Sequence, residues 1–335
     1  MQEEKRAARP DRSGISPPDG GRPGSIPETD GSGGIASQLH NDLLLLLVAA
    51  IWGFGFVAQR AGMEHLGPHA FNGIRFLLGS LVLVPMACRP RDEKELGGQQ
   101  IPALAAGILP GLVLTAGAAL QQTGLRYTTA GKAGFITGLY VIMVPLIGML
   151  LGQRTDRGTW IGGLLAVLGL YLLSVRNGFA LAPGDLLELA GAVFWAVHVL
   201  LLGYLSPRSD PIRLAMVQFA ICGLLSLALA IRLETITLTA LREAMVPLAY
   251  GGICSVGLGY TLQVVVQRRA HPAHAAILLS LEAPFAAFGG WWLLGEVLSA
   301  RALAGCLLML AGMLTSRLWP LLTEKERPAG HGSGR

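Results

Sequence analysis

Apolar runs of about 18–22 residues return along this chain with short gaps between them. A run of that length matches the roughly 20 helical residues that cross a hydrocarbon core of about 30 Å. The sequence predicts ten of them: Leu43–Ala61, Ala70–Cys88, Ala103–Gln121, Lys132–Leu151, Trp160–Val175, Leu186–Leu205, Pro211–Ile231, Met245–Val266, Ala275–Leu294 and Ala302–Leu318. Charged residues make up 14% of the chain, against about 25% in a soluble domain. Short strands with period-2 alternation are absent, which argues against a membrane barrel. The expected fold class is therefore an all-α membrane protein of ten transmembrane helices.

The chain also repeats itself. Shifted by 143 residues it matches without a gap: Asp42 falls on Asp185, Trp52 on Trp195, Pro68 on Pro211, Gly162 on Gly305 and Gly169 on Gly312. Paired tryptophans, prolines and aspartates in one register point to an internal duplication. Each copy holds five spans, and an odd number sends the second copy into the membrane from the opposite side. Inverted repeats of this kind are the architecture of many secondary transporters, with a solute site near the midplane between the halves. The expected repeats are residues 42–177 and 185–318.

The flanks differ in character. Residues 1–40, with "DRSGISPPDGGRPGSIPETDGSGG", and residues 319–335 hold little apolar content and are expected to be disordered tails. No cleavable signal peptide is visible. Lysine and arginine are slightly more frequent in loops on the side of the N-terminus, so both termini are expected in the cytoplasm, with the chain in the plasma (inner) membrane. The net charge of +5 comes from 22 arginines and 4 lysines. No basic face accompanies it, so nucleic acid is not an expected partner. The expected partners are the lipid bilayer and a small-molecule solute, and a homodimer is left open. Cys88, Cys222, Cys254 and Cys306 stand apart in apolar runs, and His271 and His274 flank a proline without a third ligand. Neither set calls for a metal or other cofactor.

Several segments are recognisable together. "TTAGKAGFITGLYVIMVP" (128–145), "AAIWGFGFVAQRAG" in the first span, "HAFNGIRFLLG" in the second and "LSLEAPFAAFGGWWLLGE" in the ninth resemble the ten-span EamA-type branch of the drug/metabolite transporter superfamily. The resemblance covers about residues 42–318 and implies transport of a small metabolite without naming it. One departure is that the first copy ends its fourth span in Gly152-Gln153, where the second has Gly295-Glu296.

The duplication also sorts the polar residues. Those kept in both copies serve two symmetric positions, whereas those present once break the symmetry and suit an asymmetric solute. Glu282 lies opposite Leu139, Arg75 opposite Gln218, Lys132 opposite Ala275, His198 opposite Gly55 and Glu188 opposite Leu45. Glu282 is about 12 Å into its span, where an ionisable group costs at least about 2.5 kcal/mol unless it faces a cavity or a partner. It is read as a protonated acid, a binding site for a cationic group, a proton-coupling group, or a structural acid bonded to a neighbouring helix. Arg75 would meet a solute carboxylate or pair with Glu188. Lys132 would snorkel to water or stand as a cation on the cavity rim, and His198 would be a core histidine or a cavity ligand. Trp52, Trp195, Tyr140 and Tyr260 would line the cavity or pack between helices, with Gln121 and Gln122 as rim donors. Pro145 and Pro284, in equivalent spans, are expected to bend the cavity wall. Small residues, including Ala130, Gly134, Gly138, Gly107 and Gly111, form faces for close helix approach.

No metal triad, nucleophile elbow, phosphate-binding loop or nucleotide domain appears, so an enzyme or an ATP-driven pump is not expected. The expected function is secondary export of small organic metabolites such as amino acids by alternating access. The alternatives are efflux of drugs or other cationic compounds and, in another class, a non-transporting scaffold or sensor.

Overall fold

The computed structural model describes residues 34–89, 101–127, 133, 136–174, 183–294 and 299–325. Among the described residues every regular element is a helix. In chain order these are α1 (Gly34–Gly62), α2 (Pro68–Ala87), α3 (Ala103–Gly124), α4 (Tyr140–Leu150), α5 (Arg157–Ser174), α6 (Pro183–Leu205) and α7 (Pro211–Leu233). A short α8 (Leu238–Glu243) precedes α9 (Met245–Ala249), which runs on through a π-helical stretch (Tyr250–Tyr260) into α10 (Thr261–Val266). Then come α11 (Pro272–Leu279), α12 (Glu282–Leu294) and α13 (Ala300–Lys325). Eight helical segments are long and apolar enough to cross a membrane, and two shorter apolar ones are Ile136–Leu150 and Arg157–Leu173.

The helix starts are written locally. Pro68, Pro183, Pro211 and Pro272 each open a helix, where the missing N–H costs nothing and φ is already set. Asp210 caps α7 by accepting from the N–H groups of Ile212 and Arg213 at 2.9 and 3.1 Å. Glu234 reaches from beyond the end of α7 to accept from the N–H groups of His69 and Ala70 at 2.9 and 2.8 Å. The helix sides are apolar outward as well as inward: Leu81, Leu164 and Trp292 are more than 60% exposed, a surface suited to lipid rather than water.

Packing between the repeats relies on small residues. A Cβ on Gly162 would meet the Gly312 carbonyl oxygen at 2.5 Å, and one on Gly169 would meet that of Gly305 at 2.6 Å. Residue numbers thus rise along α5 as they fall along α13, so these equivalent helices run antiparallel. The equivalent pair α2 and α7 does the same, with Gly73 against Leu227 and Gly223 against Leu77. Gly107 and Gly111 on α3 press against Val217 and Ile221 of α7, and Gly138 against Leu170 of α5. Without hydrophobic drive between helices in lipid, this close approach supplies the dispersion contacts that hold them.

Two expectations need correction. Residues 34–40 belong to α1 rather than to a disordered tail, and Gln38 there accepts from Arg317 Nη1 at 2.9 Å. Residues 319–325 continue α13, with Trp319 packed on Gly158. The remainder of both tails lies outside the described residues. Pro145 lies inside α4, and its span also turns earlier, at Leu139, whose N–H bonds the Ile136 carbonyl at 3.2 Å. The ninth span does break beside its proline. α11 ends at Leu279 and α12 starts at Glu282, because Pro284 has no N–H to offer the carbonyl of Ser280.

Substituting Gly312→Ala should lower the thermal midpoint in detergent by the equivalent of about 1–3 kcal/mol, since its Cβ would sit 2.5 Å from the Gly162 carbonyl oxygen. Gly191→Ala, whose nearest neighbour would be 3.6 Å away, should leave the midpoint unchanged. Tryptophan-fluorescence melting of the two variants measures the difference.

Candidate functional site

The two breaks and the π-helical stretch converge on a single region. There a cavity is lined by Trp52, Phe56, Gln59, Arg75, Gln121, Thr137 and Tyr140 of the first repeat and by Trp195, His198, Val199, Ser255, Tyr260, Gln263, Leu279 and Glu282 of the second. Irregular backbone is tolerated at membrane depth where it borders such a space.

Glu282 is the first residue of α12, directly after the break, and is 9% exposed. It has no hydrogen-bond or ion-pair partner among the described residues, so its carboxyl faces the cavity rather than a neighbouring helix. Arg75 is 4% exposed and is held in place on two sides. Its Nε donates to Asn72 Oδ1 at 3.0 Å, and Asn72 Nδ2 donates to the Ala118 carbonyl at 3.0 Å. Its guanidinium carbon lies 4.8 Å from the centre of the Phe76 ring and 5.7 Å from that of Phe71, a cation–π arrangement that favours arginine over lysine. The expected alternative of an Arg75–Glu188 pair is not formed; Glu188 accepts from Thr137 instead.

Tyr260 is the hub of the aromatic wall. Its ring centre is 4.4 Å from Trp52, 5.8 Å from Phe76, 6.0 Å from Phe219, 6.2 Å from Trp195 and 6.3 Å from His198. Trp52 Nε1 donates to the Ser255 carbonyl at 3.3 Å, tying α1 to the π-helical stretch. His198 Nε2 bonds Gln218 Oε1 at 2.9 Å, so the position that holds Arg75 in one repeat steadies His198 in the other. Buried polar atoms are nearly always paired. Yet Tyr140 Oη, Trp195 Nε1, His198 Nδ1, Gln59 Oε1 and Gln263 Oε1 have no partner among the described residues, and all five residues line the cavity. The wall thus offers unspent donors and acceptors, an acid, a cation and aromatic faces.

Eight of the nine residues singled out from the sequence as cavity candidates meet here; Lys132, like Ala130, Gly134 and Glu296, lies outside the described residues. Gln122 is fully buried beside the cavity but does not line it. The sequence reading missed Gln59, Ser255, Gln263, Thr137, Phe56, Val199 and Leu279. The first three fall opposite Leu202, Leu112 and Leu120 in the other repeat, so the asymmetry test finds them once uncharged side chains are included. Thr137 faces Ser280 in register, a polar pair that such a test passes over.

One end of the bundle is tied by polar contacts about 15 Å of helix away from Trp52. Asp42 on α1 takes His274 Nε2 at 3.1 Å and Arg317 Nε at 2.7 Å, while His274 Nδ1 meets Ser316 Oγ at 3.1 Å. His274 is therefore a bridging residue between helices. Among the described residues no group of three or more His, Cys, Asp or Glu side chains is placed to hold a metal.

Similarity to known proteins agrees with this architecture. The model of the "EamA-like transporter family" matches residues 40–175 and again residues 182–318. An uncharacterized transporter of Archaeoglobus fulgidus is 31% identical over 86% of this chain and 89% of its own length. A protein named probable amino-acid metabolite efflux pump from Salmonella typhimurium is 27% identical over 81% and 92%. A solved crystal structure superposes with a TM-score of 0.67 at 18% identity, covering 86% of this chain and 99% of the other, which speaks to the fold. With the family's pattern present twice and in register with the duplication, the chain belongs to the EamA-like transporter family.

Proposed function

We propose that this chain is an exporter of small organic metabolites, amino acids among them, working by alternating access in the plasma membrane. In this reading its ten spans form two inverted five-helix repeats, with both termini in the cytoplasm, and it catalyses no covalent chemistry. The observation that carries the proposal is a cavity walled by both repeats in which Glu282 and Arg75 are each free of an ion-pair partner among the described residues. A zwitterion answers both charges, with its ammonium toward Glu282 and its carboxylate toward the guanidinium. The unspent donors and acceptors on Tyr140, Trp195, His198, Gln59 and Gln263 suit its remaining polar groups. The antiparallel course of equivalent helices supports the inversion, and the name of the Salmonella relative supports the solute class.

One observation favours a second reading. The aromatic rings around Tyr260, close to one acid, also suit a larger organic cation. Purified protein in liposomes, offered labelled amino acids and a lipophilic cation in parallel, separates the cases. We expect amino-acid counterflow that falls at least about tenfold in both Glu282→Gln and Arg75→Gln. Cation flux lost in Glu282→Gln but kept in Arg75→Gln would select the second reading. Flux of neither class would leave a scaffold or sensor.

Alternating access makes a further demand on the Asp42 network. It joins α1 of the first repeat to α11 and α13 of the second, so it must part when the repeats separate at that face. Asp42→Asn should therefore raise the rate at which a membrane-impermeant thiol reagent, added from the side of the α1 start, labels a cysteine placed at Leu279. An unchanged labelling rate would remove the network from gating.

A further inference from the structure

Glu188 is the acid that the cavity does not use. It lies in the second turn of α6, fully buried, and is not part of the cavity wall. Its Oε2 accepts from Thr137 Oγ1 at 2.9 Å, and its Oε1 has no partner among the described residues. Leu45 occupies the equivalent position in the first repeat and is also fully buried. The fold at this point accepts an aliphatic side chain, so the acid is not required for packing.

The surroundings are shaped to the carboxyl group. Gly124, the last residue of α3, lies against it, and a Cβ there would be 2.7 Å from Oε1. Any side chain at that position would displace the acid. The C-terminal carbonyls of α3 carry partial negative charge. No cation among the described residues contacts Glu188. The helices packed on α6 present Gln121, Gln122 and Gly124 from α3 and Tyr140 from α4. His274 on α11 and Arg208 lie at the far end of α6, Glu282 lines the same cavity as Thr137, and Asp185 sits one turn earlier on α6 itself. An ionised carboxylate in that setting would be costly, and a neutral carboxyl avoids the cost.

Thr137 provides the connection, because its side chain lines the cavity that Glu282 also lines. We propose that Glu188 is a second acid site, which binds a proton and exchanges it with the cavity through the Thr137 hydroxyl. The step balances: with the carboxyl proton on Oε2 the hydrogen bond to Thr137 runs in the reverse sense, Glu188 Oε2–H gives its proton to Thr137 Oγ, and the hydroxyl's own proton, turned toward the cavity, passes to a water there. One proton leaves the acid, and threonine ends as it began. A metal cation fits poorly, since one carboxyl and one hydroxyl fall well short of the six to eight oxygens a hard cation takes. The role of this proton in transport rests on the exporter reading; the site itself does not.

Infrared difference spectroscopy of the full chain in liposomes, titrated from acid to alkaline without any solute, tests the site directly. The wild type should show two buried carboxylic-acid bands that titrate and shift in deuterated water. Glu188→Gln should remove one, and Glu282→Gln the other. Thr137→Val should keep the Glu188 band, move its frequency, and slow its deuterium exchange at least about tenfold, whereas Thr137→Ser should restore both. Glu188→Leu, which installs the residue of the other repeat, serves if the glutamine variant fails to fold. A Glu188 band that does not titrate, or exchange as fast in Thr137→Val as in the wild type, would overturn the proposal. Because no solute is present, failure of the transport assay leaves this result intact, and the reverse holds as well.

Discussion

In hydrocarbon a backbone N–H or C=O has no water to turn to, and each unpaired one costs several kcal/mol. That constraint accounts for the helices, and also for the places where they stop. The described spans lose regular α-geometry at Leu139, at Ser280–Leu281 and along Tyr250–Tyr260, and each of these borders the cavity. π-Helical segments recur at functional sites, and here one delivers Ser255 and Tyr260 to the wall. Irregularity and polarity are thus concentrated in one region of an otherwise uniform bundle.

The remaining stability comes from fit. Glycines facing carbonyls at the α5–α13 crossing, and glycines facing leucines at the α2–α7 crossing, let equivalent helices approach more closely than larger residues allow. None of α5, α7 and α13 contributes a side chain to the cavity. The molecule therefore separates a tightly fitted periphery from a cavity wall built of α1–α4, α6 and the segments from the π-helical stretch to α12.

Much of this was legible in the sequence because its signals are local or periodic. Apolar run length marked the spans, and the 143-residue register gave the pairing of equivalents. Symmetry-breaking residues such as Glu282, Arg75 and His198 pointed to the cavity because a polar side chain in lipid needs a reason to be there. What escaped was conformational. The π-helical stretch has no distinctive pattern beyond its glycines, and the turn at Leu139 precedes Pro145 by more than one helical turn. The extension of α13 past Leu318 depends on Trp319 meeting Gly158, a contact between residues far apart in sequence. Thr137 escaped because its counterpart Ser280 is polar too, and only the three-dimensional arrangement puts Glu188 behind it.

One ancestral position now has two occupants: Arg75, steadied by Asn72, in the first copy, and Gln218, steadying His198, in the second. The chamber is consequently lopsided, with the guanidinium of Arg75 on one flank and the imidazole of His198 on the other. In the proposed reading, a cargo with unlike ends would be seated in a single sense. If the halves tilt around it, the cargo need not tumble, and the end that enters last is the end that leaves first or last according to which half yields.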